Sequence, residues 1–151
     1  LRFVGDIDNR QARDFAAELS RIEMRAFSLR LEGLGSFGGD EPRVLWAGVA
    51  PCEPLDALAR ATERAARNAG LPPEGRAWKP HVTLARLRYT PLDAVVRVLS
   101  RKATFNTEEF FVGKFALMSA KPGSGGGPYV VEETFTLAGG QYADFADENN
   151  Y

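Results

Sequence analysis

Two stretches of this chain carry the same order of elements, and that repetition constrains the fold more than any single motif. Strand, helix, strand, glycine-rich turn and strand run from Leu1 to Val49 and again from His81 to Leu137. The predicted helices start near residues 9 and 91, the following strands near 27 and 110, and the last strands near 44 and 129. The offset, roughly 82 to 85 residues, holds across every element although residue identity between the halves is weak. That period is too long for a solenoid, so the pattern predicts two related lobes facing each other. The first copy also starts late. Laid over the second, Leu1 falls on Leu84, so the counterparts of His81 and Thr83 fall before Leu1, and roughly 40 residues are expected to precede it by analogy with the repeat.

Each element has a local reason. Ala12, Phe15, Ala16, Leu19 and Ile22 keep helical spacing, with Asp8 or Asn9 as the cap. Phe27, Leu29 and Leu31 alternate with Ser28, Arg30 and Glu32, the mark of a half-buried strand. The glycine-rich GLGSFGGDEP follows, and then RVLWAGV, residues 43–49, reads as a strand. Leu55, Leu58, Ala59, Thr62, Ala65 and Ala66 form an apolar helical face that ends at Gly70, before Pro72 and Pro73. In the second copy, PHVTLARL reads as a strand. Thr90 as cap and Pro91 at the first helical position open a helix on Leu92, Val95, Val96 and Leu99. FFVGKFALM (110–118) and YVVEETFTL (129–137) read as strands around the flexible connection KPGSGGGP. From Ala138 to Tyr151 no periodicity remains, which predicts a flexible tail behind a single two-lobed domain over 1–137.

Composition narrows the function. A length of 151 residues suits one compact domain or two small lobes. Hydrophobic residues make up 44% and charged residues 26%, ordinary values for a globular protein. No apolar run reaches the roughly 18 residues of a membrane span, and LRFVGDIDNR shows no signal-peptide pattern. Cys52 is the sole cysteine, which rules out an intrachain disulfide and argues against a Cys/His zinc site. A cytoplasmic protein is expected. A net charge of −1 argues against bulk polyanion binding. Between Arg76 and Lys102, however, seven Lys/Arg face one acid, Asp93, so either a small anion or only solvent meets that surface.

The chain holds one histidine, His81, two residues before Thr83. On a strand the two side chains share a face, while Val82 and Leu84 are expected to point into a core. A histidine exchanges a proton near neutral pH, and a threonine hydroxyl can donate to a phosphate oxygen. Two such pairs across a cleft would supply a base and an acid on opposite sides of phosphorus, as in-line cleavage of a phosphodiester requires, with no metal. Alone, the triplet does not separate catalysis from a packed structural histidine. The repeat favours catalysis.

PHVTLAR resembles the second signature of the two-histidine phosphoesterases, specifically the bacterial and archaeal RNA 2′,3′-cyclic phosphodiesterases known as 2′-5′ RNA ligases. LRFVGDID resembles the continuation of the family's first signature, whose His-x-Thr falls before Leu1. FSLRLEGLGSF, RVLWAGV and GPYVVEETFTL are also similar to family segments, so the resemblance runs nearly to Leu137. It implies an α+β bilobal duplicated fold, two antiparallel sheets lining a central cleft with helices outside. It implies hydrolysis of a terminal 2′,3′-cyclic phosphate on RNA to a 2′-phosphomonoester, with no cofactor and no metal. RNA 3′ ends or nucleoside 2′,3′-cyclic phosphates are the implied partners, with no membrane and no protein partner, and a monomer is expected. By position, His81 is the base that activates water and the absent histidine the acid. Thr83 would bind the phosphate, and Arg86 would bind it or stabilise developing charge. Strict alternation puts Arg86 opposite His81, so a bulge or strand end must re-aim it. Tyr129, after Gly127-Pro128, either approaches substrate or is a core tyrosine.

Other signals are weaker. GLGSFG (33–38) fits a dinucleotide pattern by letter but is followed by Gly39, Asp40, Pro42 and a strand, where that reading needs a helix. GSGGGP lacks the Lys-Ser/Thr of a phosphate loop. Phe37 is either a packed hairpin aromatic or a base-stacking residue at the cleft mouth. Trp46 and Trp78 read as structural, Arg60, Arg64 and Arg67 as solvated surface, and Cys52 as lacking a partner for nucleophilic work. Two rivals to the enzyme remain: a non-catalytic RNA-end or nucleotide-binding module, and a related phosphodiesterase acting on another cyclic phosphate.

Overall fold

The computed structural model describes residues 1–120 and 129–140. The expected glycine-rich connection, 121–128, and residues 141–151 of the expected tail lie outside them. Among the described residues three helices and seven strands follow one another in mixed order: α1 (Asn9–Ser20), β1 (Phe27–Leu29), β2 (Leu31–Phe37), β3 (Val44–Val49), α2 (Glu53–Asn68), β4 (His81–Arg86), α3 (Leu92–Arg101), β5 (Phe110–Val112), β6 (Lys114–Ala120) and β7 (Tyr129–Thr136). The class is α+β, with antiparallel β2-β3-β4 and β6-β7 sheets. The chain forms two compact units, and β1 and β5 lie where it passes from one to the other.

Among the described residues one unit comprises 1–27, 53–75, 111–120 and 129–140. Asp8 settles the capping alternative: its carboxylate accepts from the Gln11 N–H at 2.8 Å, satisfying a donor the helix cannot. Phe15 and Leu19 of α1 and Leu58, Ala65 and Ala66 of α2 are buried, as their helical spacing requires. On the β6-β7 sheet Phe115 and Phe135 stack at 5.0 Å across a registered pair, and Leu137 is 1% exposed. Ala138 is not part of a free end. Its N–H donates to the Met24 carbonyl at 2.8 Å, and its own carbonyl accepts from Ala26 at 2.9 Å.

The expected first strand is absent. Residues 1–7 adopt no regular structure, because Arg2 turns inward instead: its Nε lies 2.7 Å from Glu63 and its Nη1 3.3 Å from Glu74. This ion cluster fastens the segment to α2 and to the link behind it.

The second unit, 28–52 and 76–110, holds the β2-β3-β4 sheet and α3. Here the glycine-rich stretch departs from expectation. Gly33 and Gly35 lie within β2, and only residues 38–43 make the turn to β3. The helix α3 starts one residue later than its cap signal suggested. Pro91 is the cap residue with no side-chain bond, while the Thr90 hydroxyl donates to the Arg88 carbonyl at 3.3 Å. Leu45 faces Ala94, Val95 and Val98 of α3, and Ala47 and Val95 are buried at 0% and 5% exposure. Val82 and Leu84 do not reach a core; they are 45% and 49% exposed. In this unit β4 pairs only with β3, so the apolar cover that α3 gives the sheet does not extend over them.

Candidate active site

The site residues are set by the register of β3 against β4. Gly48 pairs with His81, Ala47 with Val82 and Trp46 with Thr83; then Leu45 pairs with Ala85 and Val44 with Arg86. One step on β3 thus spans two on β4, which makes Leu84 the extra residue of a β-bulge. Directly paired residues share a face, and Gly48, Trp46 and Val44 alternate regularly on one face of β3. His81, Thr83 and Arg86 therefore stand together on that face. The bulge supplies the re-aiming that strict alternation denied to Arg86.

His81 opens β4 and is exposed to solvent. Its Nδ1 lies 2.7 Å from the Lys79 carbonyl oxygen. A carbonyl can only accept, so Nδ1 carries a proton and the lone pair of the neutral ring sits on Nε2. Held this way, Nε2 can take a proton from a bound group, or return one when the ring is charged.

Aromatic rings support the imidazole. Phe37 meets it edge-to-face at 5.0 Å and 85°, and Trp46 lies 6.2 Å from it and 5.3 Å from Phe37. Phe37 pairs with Val44 and Gly35 with Trp46, which puts all of these groups on the same face. Gly35 is required here by close approach: a Cβ on it would fall inside the Trp46 indole. Lys79 Nζ stands 4.5 Å from the indole centroid, a cation–π contact. Trp46, read from sequence as structural, is thus a wall of the site. RVLWAGV reads as a strand that carries Trp46, but nothing local disclosed that the strand pairs with β4.

Thr83 is exposed, and its hydroxyl has no hydrogen-bond partner among the described residues. Arg86 is exposed and makes an interaction of its own. Tyr129 belongs to the other unit, where it opens β7 opposite Ala120 and is 53% exposed, so it is not a core tyrosine. Phe37 proves to be both packed and beside the imidazole. The G-x-G-x-x-G letters run along β2 into a turn, with no helix behind them, so the dinucleotide reading fails. Among the described residues no group of three or more His, Cys, Asp or Glu side chains could hold a metal ion, and no helix is long and apolar enough to cross a membrane.

Comparison with known proteins decides the family. Residues 2–123 match the 2′-5′ RNA ligase superfamily. The chain belongs to that superfamily. Within it, the chain is similar to the RNA 2′,3′-cyclic phosphodiesterase of Aeropyrum pernix, with 36% identity over 102 residues that cover 66% of this chain and 58% of that protein. It is also similar to the RNA 2′,3′-cyclic phosphodiesterase of Aquifex aeolicus, with 33% identity over 144 residues, 92% of this chain and 77% of that protein. Among solved structures, E. coli LigT complexed with 3′-AMP shares the fold at a TM-score of 0.69 and 22% identity, over 90% of this chain and 74% of LigT. A Thermus thermophilus protein shares it at 0.68 and 24% identity, over 89% of this chain and 74% of its own. The α+β fold with its antiparallel sheets is thus the fold of this superfamily.

Proposed function

We propose that this chain hydrolyses the terminal 2′,3′-cyclic phosphate of RNA to a 2′-phosphomonoester by acid–base catalysis that needs no metal. The observation that carries the reading is the exposed His81 imidazole, tied through Nδ1 to a carbonyl and sharing one sheet face with Thr83 and Arg86. Relatives that cover much of the chain bear the name RNA 2′,3′-cyclic phosphodiesterase, which supports the same activity. The structure of LigT with 3′-AMP supports nucleotide ligands for the fold.

In this reaction a water oxygen attacks phosphorus, the bond from phosphorus to the 3′-oxygen breaks, and the 2′-ester bond stays. Nε2 of His81 takes the proton of the attacking water. Thr83 donates its free hydroxyl to a non-bridging oxygen, and the Arg86 guanidinium balances the charge that gathers on the phosphoryl oxygens. The leaving 3′-oxygen takes a proton from a second acid. Tyr129 is assigned to the substrate's nucleoside. The domain is taken to span 1–137 and to act as a monomer in the cytoplasm.

The experiment is hydrolysis of a nucleoside 2′,3′-cyclic phosphate in excess chelator by the full-length protein. Turnover to the 2′-phosphate supports the reading. Tight binding of cyclic or 2′-phosphate nucleotides with no turnover would replace it with the RNA-end binding module. Turnover restricted to cyclic phosphates outside RNA would replace it with the related phosphodiesterase.

A further inference from the structure

We propose that a depression at the far end of β4 is a subsite for an upstream nucleobase of the substrate RNA, with Tyr89 as its stacking surface and Arg88 beside the flanking phosphate. The inference rests on the RNA reading above and extends it from the reacting end to the body of the strand.

The depression lies between the β2–β3 turn, with Asp40, Glu41 and Arg43, and the chain leaving β4, with Arg88, Tyr89 and Leu92. Its walls are tied together by backbone: Leu87 N–H donates to the Arg43 carbonyl at 2.7 Å, and Arg43 N–H to the Phe37 carbonyl at 2.8 Å. The site is therefore preformed rather than a gap between loose loops.

Tyr89 is the unusual residue. Its relative exposure is 104%, and it is the one non-glycine at positive φ (51°) among the described residues. A side chain with a Cβ is disfavoured in that conformation, and a wholly solvated ring returns no burial for it. Folding gains nothing from a tyrosine here, whereas a ligand with a flat face gains a stacking surface.

The charges choose the ligand. Arg43 is engaged by Glu41 at 2.7 Å, and Asp40 adds a carboxylate to the same rim, so the hollow itself does not attract a bare phosphate. A base fits better, since its π-face stacks on tyrosine and its amino edge can donate to a carboxylate. The Arg88 guanidinium has no partner among the described residues and is left for the strand's phosphate. The position agrees. From His81 to Arg86 β4 runs toward Tyr89 over about 17 Å, at roughly 3.3 Å per residue, a span of a few nucleotides.

The test is fluorescence anisotropy of a labelled hexanucleotide RNA ending in a 2′-phosphate, with nucleoside 2′-monophosphate as the short control. The full-length protein should bind the hexanucleotide more tightly than the mononucleotide. Tyr89→Ala should weaken hexanucleotide binding about 10-fold and leave the mononucleotide unchanged. Arg88→Ala should weaken the hexanucleotide and flatten its salt dependence. Equal affinity for both ligands, or an unchanged hexanucleotide affinity in Tyr89→Ala, would overturn the subsite. The readout is binding, so this outcome stands apart from the catalytic reading, which fails instead if cyclic mononucleotide is not hydrolysed.

Discussion

The main-chain carbonyl of Lys79 accepts the Nδ1–H of His81 at 2.7 Å, two residues away along the chain. The neutral ring should therefore exist as the Nδ1–H tautomer. Nitrogen NMR on labelled protein should show, for the neutral ring, a protonated Nδ1 and a lone-pair Nε2. The opposite tautomer would remove the base from the position proposed for it.

Arg86 reaches the His81 face only through the bulge at Leu84. Its planar fork suits two phosphoryl oxygens at once, which an ammonium cannot match. Arg86→Lys should retain stability and lower kcat/KM on a cyclic phosphate by about 10-fold or more, as loss of about 1.4 kcal/mol of transition-state stabilisation. Thermal unfolding alongside steady-state kinetics checks both halves. An unchanged kcat/KM would place Arg86 outside the reaction.

Gly35 gives its Cβ space to the Trp46 indole. Gly35→Ala should push the ring off the sheet and destabilise the protein by about 1 to 3 kcal/mol, the usual range for overpacking. Near-ultraviolet dichroism would report the displaced indole. Activity should fall with it, because Trp46 shares its face with His81 and carries the Lys79 ammonium.

Tyr89 should be replaceable with a gain in stability. At φ 51° glycine is unstrained, and Tyr89→Gly should stabilise the fold by up to about 1 kcal/mol despite the extra chain entropy of glycine. Chemical denaturation measures this. A loss of stability would mean that the ring makes contacts its exposure denies.

Much of this was legible in the chain. Helical spacing located α1 and α2 because their buried residues, Phe15 and Leu19 or Leu58 and Ala65, recur once per turn. Period-two alternation located β1, and the His-x-Thr spacing put His81 and Thr83 on one face. The sequence also posed the right question about Arg86, since strict alternation and function disagreed there. Non-local facts were hidden. That Trp46 faces Thr83, or that Gly35 lies under the indole, depends on the pairing and register of separate strands, which no local pattern encodes. Glycines misled in the same way. Gly33 and Gly35 look like a turn, yet both sit in β2, Gly35 because the Trp46 indole needs the room and Gly33 because its φ of 73° suits glycine. The repeat predicts a strand from Leu1, but the Arg2 ion cluster with Glu63 and Glu74 holds this segment elsewhere.

The most direct measurement is the rate at which the full-length protein and its His81→Ala variant convert 2′,3′-cyclic AMP in excess chelator. The wild-type protein should release 2′-AMP, and the variant, folded to the same melting temperature, should be slower by about 10² to 10⁴. Full turnover by His81→Ala, or 3′-AMP as the sole product, would contradict the account.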